Sequence, residues 1–454
     1  MTTAITADLG RFVAALRFED IPAAAVDIIA MAFTDCIGVT IAGASEPAPQ
    51  LLRKMLAPAG GEAMLVGGGH ASALHAAWIN GTAAHALDYD DVAQRGGHPS
   101  TYLVWALLAA GETLAPSGRD LITAYAAGYE TFAELIRRDA DEHHAKGWHP
   151  TGIFGAIASA AACARLLGLD AQRAATAIAL AASQSGGLVA NFGSMAKPMH
   201  AGLAAHAGVA SARLAQLGFT ASLDALEHPP GFLAAISPAG RLDFGSPVRA
   251  GIEWQISGGN RLGIKKYPLC YCAHRAVDGM LDLKRRHGLK PEEVEHITVT
   301  VSSRNANIMR NHLPQNGTEA KFSVEFALAS PLVADNAGLA QLDDGFVRQP
   351  LMQSLMKSVS VAIDDRPDPN RSGFSLADRI CVQTRDGRQL DSGPITHVRG
   401  DPDHPLARDE LWVKFEDCLR AAGSRIAARE LFETLAALPA LPRIDVLLRQ
   451  LQAH

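Results

Sequence analysis

The stretch GWHPTGIFGAIASAAACARLLG, residues 147 to 168, carries no charged residue between His149 and Arg165 and consists mostly of small apolar residues. A helix that is apolar all round is buried on every side, so this stretch predicts the centre of a helical core and not an amphipathic surface helix. Pro150 favours the first helical position and biases His149 toward extended backbone, which places an imidazole at the mouth of the buried helix. The same grammar extends in both directions. IPAAAVDIIAMAFTDCIGVTIAG, TYLVWALLAAGETL, DLITAYAAGYETFAELIRR and AAHAGVASARLAQLG space apolar residues at three and four, with Gly, Pro or Asp as punctuation. Small residues let helix axes approach closely, so a compact multi-helix domain is expected up to roughly Gly251. The longest uncharged run, Ala174 to Ala196, is interrupted by Gln184 and Asn191 and reads as a buried Gly/Ala-rich helix, not a membrane span.

After Trp254 the pattern changes. A helix of about fifteen residues is expected after Ala273, and HITVTVSS, SVSVAIDD and DRICVQTRDG alternate with period two, the last ending in a hairpin turn. Helical segments near Phe322 and Leu339 separate these strands. From Leu406 onward the text is helical again and too short for a domain of its own. The predicted fold is therefore mainly α: a large all-helical domain formed by both chain ends, with a smaller inserted α+β domain. The expected boundaries are 1–260 for the main helical part, 261–402 for the α+β insertion and 403–454 for the closing helices. A cleft between the two domains follows from this arrangement.

The bulk numbers exclude several classes. At 454 residues one ordinary core is too little, and at 48% hydrophobic with 19% charged the chain is a packed globule. The net charge of -6 is spread out, with no Lys/Arg stripe, so no nucleic-acid partner is expected. MTTAITADLGRF lacks the cationic start and apolar core of a signal peptide, and the six cysteines form no disulfide framework, which together predict a cytoplasmic protein without a membrane partner. Cys270 and Cys272 have no second ligand pair at zinc spacing, and the acids of ALDYDD lack phosphate-binding glycines, so no metal is expected.

Four His-Pro pairs occur, at His98, His149, His228 and His404. For His228 and His404 the reading is a helix start with an incidental histidine. His98 and His149 instead open apolar helices, where the backbone dipole disfavours an imidazolium and the free N–H groups offer an anion site. A neutral imidazole there is a proton acceptor. In ALDYDD, Asp88 and Asp91 fall on one helical face while Asp90 does not, and three acids so close need a cation nearby. Lys197 sits in a polar island between apolar helices, with His200 and His206 behind it. Lys265, Lys266, Tyr267 and His274 lie where the chain crosses into the α+β part. The collection is basic, with no nucleophile beside its base, no phosphate loop and no dinucleotide fingerprint. It suits a small acid with several carboxylates, held by cations, whose C–H proton is moved by an imidazole or carboxylate, with no cofactor required.

NGTAAHALDYDD, the following His98-Pro99-Ser100, GWHPTGIFGA, ASQSGGL, AKPMHAGLAAHAG, IKKYPLCYCAHRAVD, EAKFSVEFALA and DPDHPLARDEL run in order along nearly the whole chain and together resemble the MmgE/PrpD family. That family includes 2-methylcitrate dehydratase, cis-aconitate decarboxylase and iminodisuccinate epimerase. The resemblance implies a helical domain built from both chain ends, a smaller α+β lid, a homodimer and an active site between the domains. Carried over by motif, it implies catalytic roles for Asp88, His98, His149, Lys197 and His274, with Lys265, Lys266 and Tyr267 contacting substrate. One departure stands out: the decarboxylase pattern has a threonine just after the paired acids, and this chain has Val92, which donates no hydrogen bond.

The resulting expectation is a cofactor-independent lyase of the 2-methylcitrate dehydratase type. It abstracts a proton next to a carboxylate of a small di- or tricarboxylic acid. An iminodisuccinate-type epimerase shares that first step and is the alternative. A cis-aconitate decarboxylase-like enzyme and a non-catalytic metabolite-binding paralogue are further readings.

Overall fold

The computed structural model describes residues 3–369 and 375–452. The chain divides into two units, one of residues 1–263 with 410–454 and the other of residues 264–409.

The first unit is helical. Its centre is the helix Pro150–Leu166, with Pro150 to Ala164 all buried, packed beside Ala196–Gln216, Gly118–Arg137 and Pro99–Gly111. Small residues set the spacing. A Cβ on Gly202 would lie 2.2 Å from the Trp78 carbonyl oxygen, and one on Gly208 would lie 2.1 Å from the Ser159 Cβ, so helix Ala196–Gln216 touches two neighbours at backbone distance. The helix Ala23–Gly43 is long and apolar enough to cross a membrane, but 78% of that window is buried inside the protein. Its Asp35 receives Lys414 from the closing helix Arg408–Ala421 at 2.5 Å, and the Phe415 ring covers Gly38.

Three local expectations are corrected. The run Ala174–Ala196 is not one helix: the helix Ala171–Ala182 stops there, and Ser183 to Met195 form a turn-rich, largely accessible segment, because the glycines at 186, 187 and 193 and the scattered serines give no apolar face to bury. His228 and His404 do not start helices; both are exposed in turns, and the next helices begin only four residues later, at Phe232 and Arg408. The last helix before the second unit ends at Ile236, and 237–261 are irregular.

The second unit carries a four-stranded sheet in the order Val359–Ile363, Val294–Val301, Arg379–Thr384, Gln389–Asp391. The first pair is parallel, with Ile297 opposite Val359, and the others are antiparallel, with Ile297 opposite Val382. The period-two reading holds along Arg379–Thr384, where Ile380, Val382 and Thr384 are buried and the residues between are exposed. The helix His274–His287 contributes Ala276, Val277, Met280 and Leu283 to the core of this unit.

Candidate active site in the helical unit

The site grows from two helix beginnings and one helix end. His98 and His149 are the N-cap residues of Pro99–Gly111 and Pro150–Leu166, each followed by proline at the first helical position. Neither uses its side chain to cap the helix, so both rings are available elsewhere. The third imidazole is His85, the last residue of Ala73–His85 and 1% exposed. The rings of His85 and His98 stand 4.4 Å apart between centroids, and His85 and His149 5.9 Å.

ALDYDD is not helical. The helix ends at His85, and Asp88 takes a left-handed backbone with φ of 52°, a conformation that aspartate tolerates better than most residues. This turn sends the three acids to different partners: Asp88 to Lys197, Asp90 to His85 and Asp91 to Ser100.

Asp88 accepts a 2.7 Å hydrogen bond from Lys197 Nζ, an ion pair with both side chains under a tenth exposed. Lys197 is not on an island between helices; it lies in the first turn of Ala196–Gln216, with Nζ 5.3 Å from the centre of the Phe192 ring.

Asp90 is wholly buried between two imidazoles, its Oδ1 2.8 Å from His85 Nδ1 and its Oδ2 2.7 Å from His98 Nδ1. Burial works against its charge, and the two histidines outweigh it and hold the carboxyl well below the ordinary range. An ionised carboxylate only accepts hydrogen bonds, so His85 donates to it from Nδ1. His98 Nδ1 also lies 2.8 Å from the Asp91 carbonyl oxygen, a second acceptor that fixes the same tautomer. Nε2 is the ring nitrogen of His98 that these contacts leave for a substrate.

Asp91 has the opposite fate. Burial and its acidic neighbours Asp90 and Asp35 raise its pKa well above the ordinary value despite hydrogen bonds from Ser100. It accepts from the Ser100 backbone N–H at 3.2 Å and pairs with the Ser100 hydroxyl, doing for the helix Pro99–Gly111 the capping that His98 does not.

His149 is 1% exposed, and burial together with Lys197 and the neighbouring imidazoles lowers its pKa well below 6.5. Its Nδ1 is 3.1 Å from His200 Nδ1, and the Phe192 ring stands nearly perpendicular to it at 4.8 Å between centroids. His85 is pushed down to about 3, burial outweighing the adjacent Asp90. Both rings are neutral at neutral pH.

Of the residues singled out in the sequence, Asp88, His98, His149 and Lys197 gather here. Lys265, Lys266, Tyr267 and His274 belong to the second unit. There Lys265 is 1% exposed, Lys266 is partly accessible, and the Tyr267 hydroxyl donates to Asp278 at 2.7 Å. His274 is fully buried between the rings of Tyr267 and Tyr271, with Nε2 3.3 Å from the Leu269 carbonyl oxygen. His85 and the role of Asp90 escaped the sequence reading. The only signal was the five-residue spacing between them, which carries meaning once the chain turns at Asp88.

Buried imidazoles, a carboxylate among them and a fixed lysine–carboxylate pair are groups that can chemically move a proton beside a cation. The chain matches the MmgE/PrpD N-terminal domain over residues 7–245 and the MmgE/PrpD C-terminal domain over residues 267–438. It belongs to the MmgE/PrpD family. Among its relatives is the cis-aconitate decarboxylase of Mus musculus, 27% identical over 80% of this chain and 74% of that protein. The Homo sapiens cis-aconitate decarboxylase is 27% identical over 80% and 75%, and that of Aspergillus terreus strain NIH 2624 is 24% identical over 98% and 96%. The relatives are lyases, and the chain stands with enzymes of the lyase kind.

Proposed function

We propose that the protein is a cofactor-independent lyase of the 2-methylcitrate dehydratase type, acting on a small di- or tricarboxylic acid. The observation that carries this reading is the pairing of His98, whose Nδ1 is locked as a donor by Asp90 and the Asp91 carbonyl, with His149, 6.3 Å away between ring centroids. Dehydration removes a C–H proton and protonates the departing hydroxyl, so it needs a base and an acid together. His98 Nε2 accepts the proton next to the carboxylate. The proton taken by His98 passes to the departing hydroxyl, which leaves as water, while neutral His149, its Nδ1 3.1 Å from His200, hydrogen-bonds the leaving oxygen. Lys197, fixed by Asp88, holds a substrate carboxylate, and the N-terminal N–H groups of the helix behind His149 add to that attraction. By the family resemblance Lys265, Lys266, Tyr267 and His274 complete the binding and catalytic set. The working form in this reading is a cytoplasmic homodimer.

The decarboxylase relatives favour a second reading, decarboxylation of cis-aconitate, in which an imidazole delivers a proton to the carbon that loses CO2. Val92 speaks against it, since it stands where that pattern has a hydroxyl. Proton NMR in D2O with 2-methylcitrate, citrate, cis-aconitate, iminodisuccinate and succinate is the test. The expected result is a new alkene from a hydroxy acid, with deuterium exchange beside its carboxylate. CO2 loss from cis-aconitate favours the second reading, and exchange with inversion but no alkene indicates an epimerase. Absence of turnover and exchange across the panel, with one compound raising the melting temperature, overturns the catalytic reading in favour of a metabolite-binding protein.

A further inference from the structure

We infer that His85, His98 and His149 form a binding site for one divalent transition-metal ion of the zinc class, and that its occupancy excludes proton transfer at the same imidazoles.

One ring nitrogen from each of the three lies within 4.8 Å of the others. The Nδ1 atoms are already engaged: His85 with Asp90 at 2.8 Å, His98 with Asp90 at 2.7 Å and the Asp91 carbonyl at 2.8 Å, His149 with His200 at 3.1 Å. Nε2 is thus the nitrogen each ring has left to offer. Metal-bound histidines are oriented in this way, through the other ring nitrogen held by a carboxylate, a carbonyl or another polar group. A carboxylate that holds two of the three rings raises the basicity of both as ligands.

Two further observations point to a cation. His85 Nε2 is buried and has no hydrogen-bond partner among the described residues. Nothing in the proton-transfer chemistry employs it, and a buried imidazole nitrogen left unpaired is costly. The local charge is also favourable. The Asp90 carboxylate lies 2.8 Å from His85 Nδ1 and 2.7 Å from His98 Nδ1, a negative group beside two of the three rings. Three imidazoles suit Zn, Co, Ni or Cu better than Mg or Ca, which prefer oxygen. Zn–N distances of about 2.1 Å bring tetrahedral ligands to roughly 3.4 Å from one another, so nitrogens now within 4.8 Å draw closer on loading, by at most roughly 1.4 Å. Sequence spacing could not show this set, because its members lie at the ends of three separate helices.

The functional consequence follows from lone-pair arithmetic. An Nε2 lone pair donated to a metal cannot accept a substrate proton, so the ion is an inhibitor, and the inference rests on the proposed roles of His98 and His149 for that part alone.

The test uses the full chain, stripped with chelator and titrated with Co2+ while the visible d–d bands are followed. One ion per chain is expected. H85Q and H98Q should each weaken binding at least tenfold, while H397Q, which alters the separate His397, Asp401 and Asp403 cluster, leaves it unchanged. X-ray absorption on the Zn2+-loaded wild type, expected to show three imidazole nitrogens, covers the case in which a variant fails to fold. Zn2+ should suppress turnover at least tenfold, with chelator restoring it. Absence of d–d bands at millimolar Co2+, bands unaffected by H85Q and H98Q, or fewer than three imidazole ligands overturns the site. Turnover unchanged by bound Zn2+ overturns the exclusion. Binding is read without activity, so failure of the proposed reaction leaves the metal result separately legible.

Discussion

Asp88 and Lys197, 109 positions apart in sequence, form a 2.7 Å ion pair, each side chain under a tenth exposed, that ties the turn after the helix Ala73–His85 to the first turn of Ala196–Gln216. Removing one member of such a pair strands the other charge, which costs about 3–5 kcal/mol when burial is complete. K197A should therefore destabilise the protein by about 2–4 kcal/mol in urea melts and lower kcat/KM at least a hundredfold. K197M combined with D88N should recover most of the stability and none of the activity, and recovery of both would show that the pair is structural only.

Asp90 is a positioning residue, because it acts through the rings it holds. D90N replaces one acceptor oxygen by a donor, which favours the opposite tautomer in His85 or His98. In a serine protease the analogous change costs about 10⁴ in kcat. A drop in kcat of at least a hundredfold is expected here with KM changed less than threefold, together with a displaced acidic limb in the pH–rate profile. Equal losses in kcat and stability with an unmoved profile would mean that Asp90 only packs.

Stability should fall with acid in a defined direction. His149 is held below 6.5 and His85 near 3, so the unfolded chain binds protons at these sites before the folded one does. Their contribution is complete above about pH 6.5 and is lost as the pH falls through that value toward 3. Asp90, with its lowered pKa, adds a loss of the same sign below the usual carboxylate range. Melting temperature measured from pH 8 to pH 4 should decline most steeply below 6.5, and H85Q, which cannot take up the proton, should flatten that decline. A curve identical to the wild type would remove His85 from the account.

G202A tests the helix packing that brings Lys197 to Asp88. A Cβ 2.2 Å from the Trp78 carbonyl oxygen has a backbone atom in its way, so the helices must separate. Overpacking of this kind costs about 1–3 kcal/mol. The variant should melt lower and lose activity through KM as well as kcat, whereas G168A, at a glycine with open space around it, tests the left-handed backbone of φ 64° alone.

Much of this was readable from the residues. Small apolar side chains at helical spacing marked the buried helices, Pro99 and Pro150 marked where they begin, and alternation marked the strand Arg379–Thr384. Each of these signals is local. The reading of ALDYDD as helix failed because helical spacing was carried past His85, while a left-handed Asp88 turns the chain and returns Asp90 to the ring five residues before it. His85 looked like one more residue of an alanine-rich helix. Its importance arises from where His98 and His149 come to rest, and that depends on the packing of three helices. The run Ala174–Ala196 misled for a related reason, since absence of charge alone does not supply a face to bury.

Lys414 reaches back to Asp35 at 2.5 Å and donates to the Tyr89 carbonyl oxygen at 2.7 Å, in the middle of the acidic turn. During synthesis the chain has made every imidazole of the site, and the whole second unit, before residue 414 leaves the ribosome. The acidic turn can be clamped only then. Nascent chains halted before residue 414 should expose this turn to protease while their central helices are already protected, so the last helices act as the step that finishes the site.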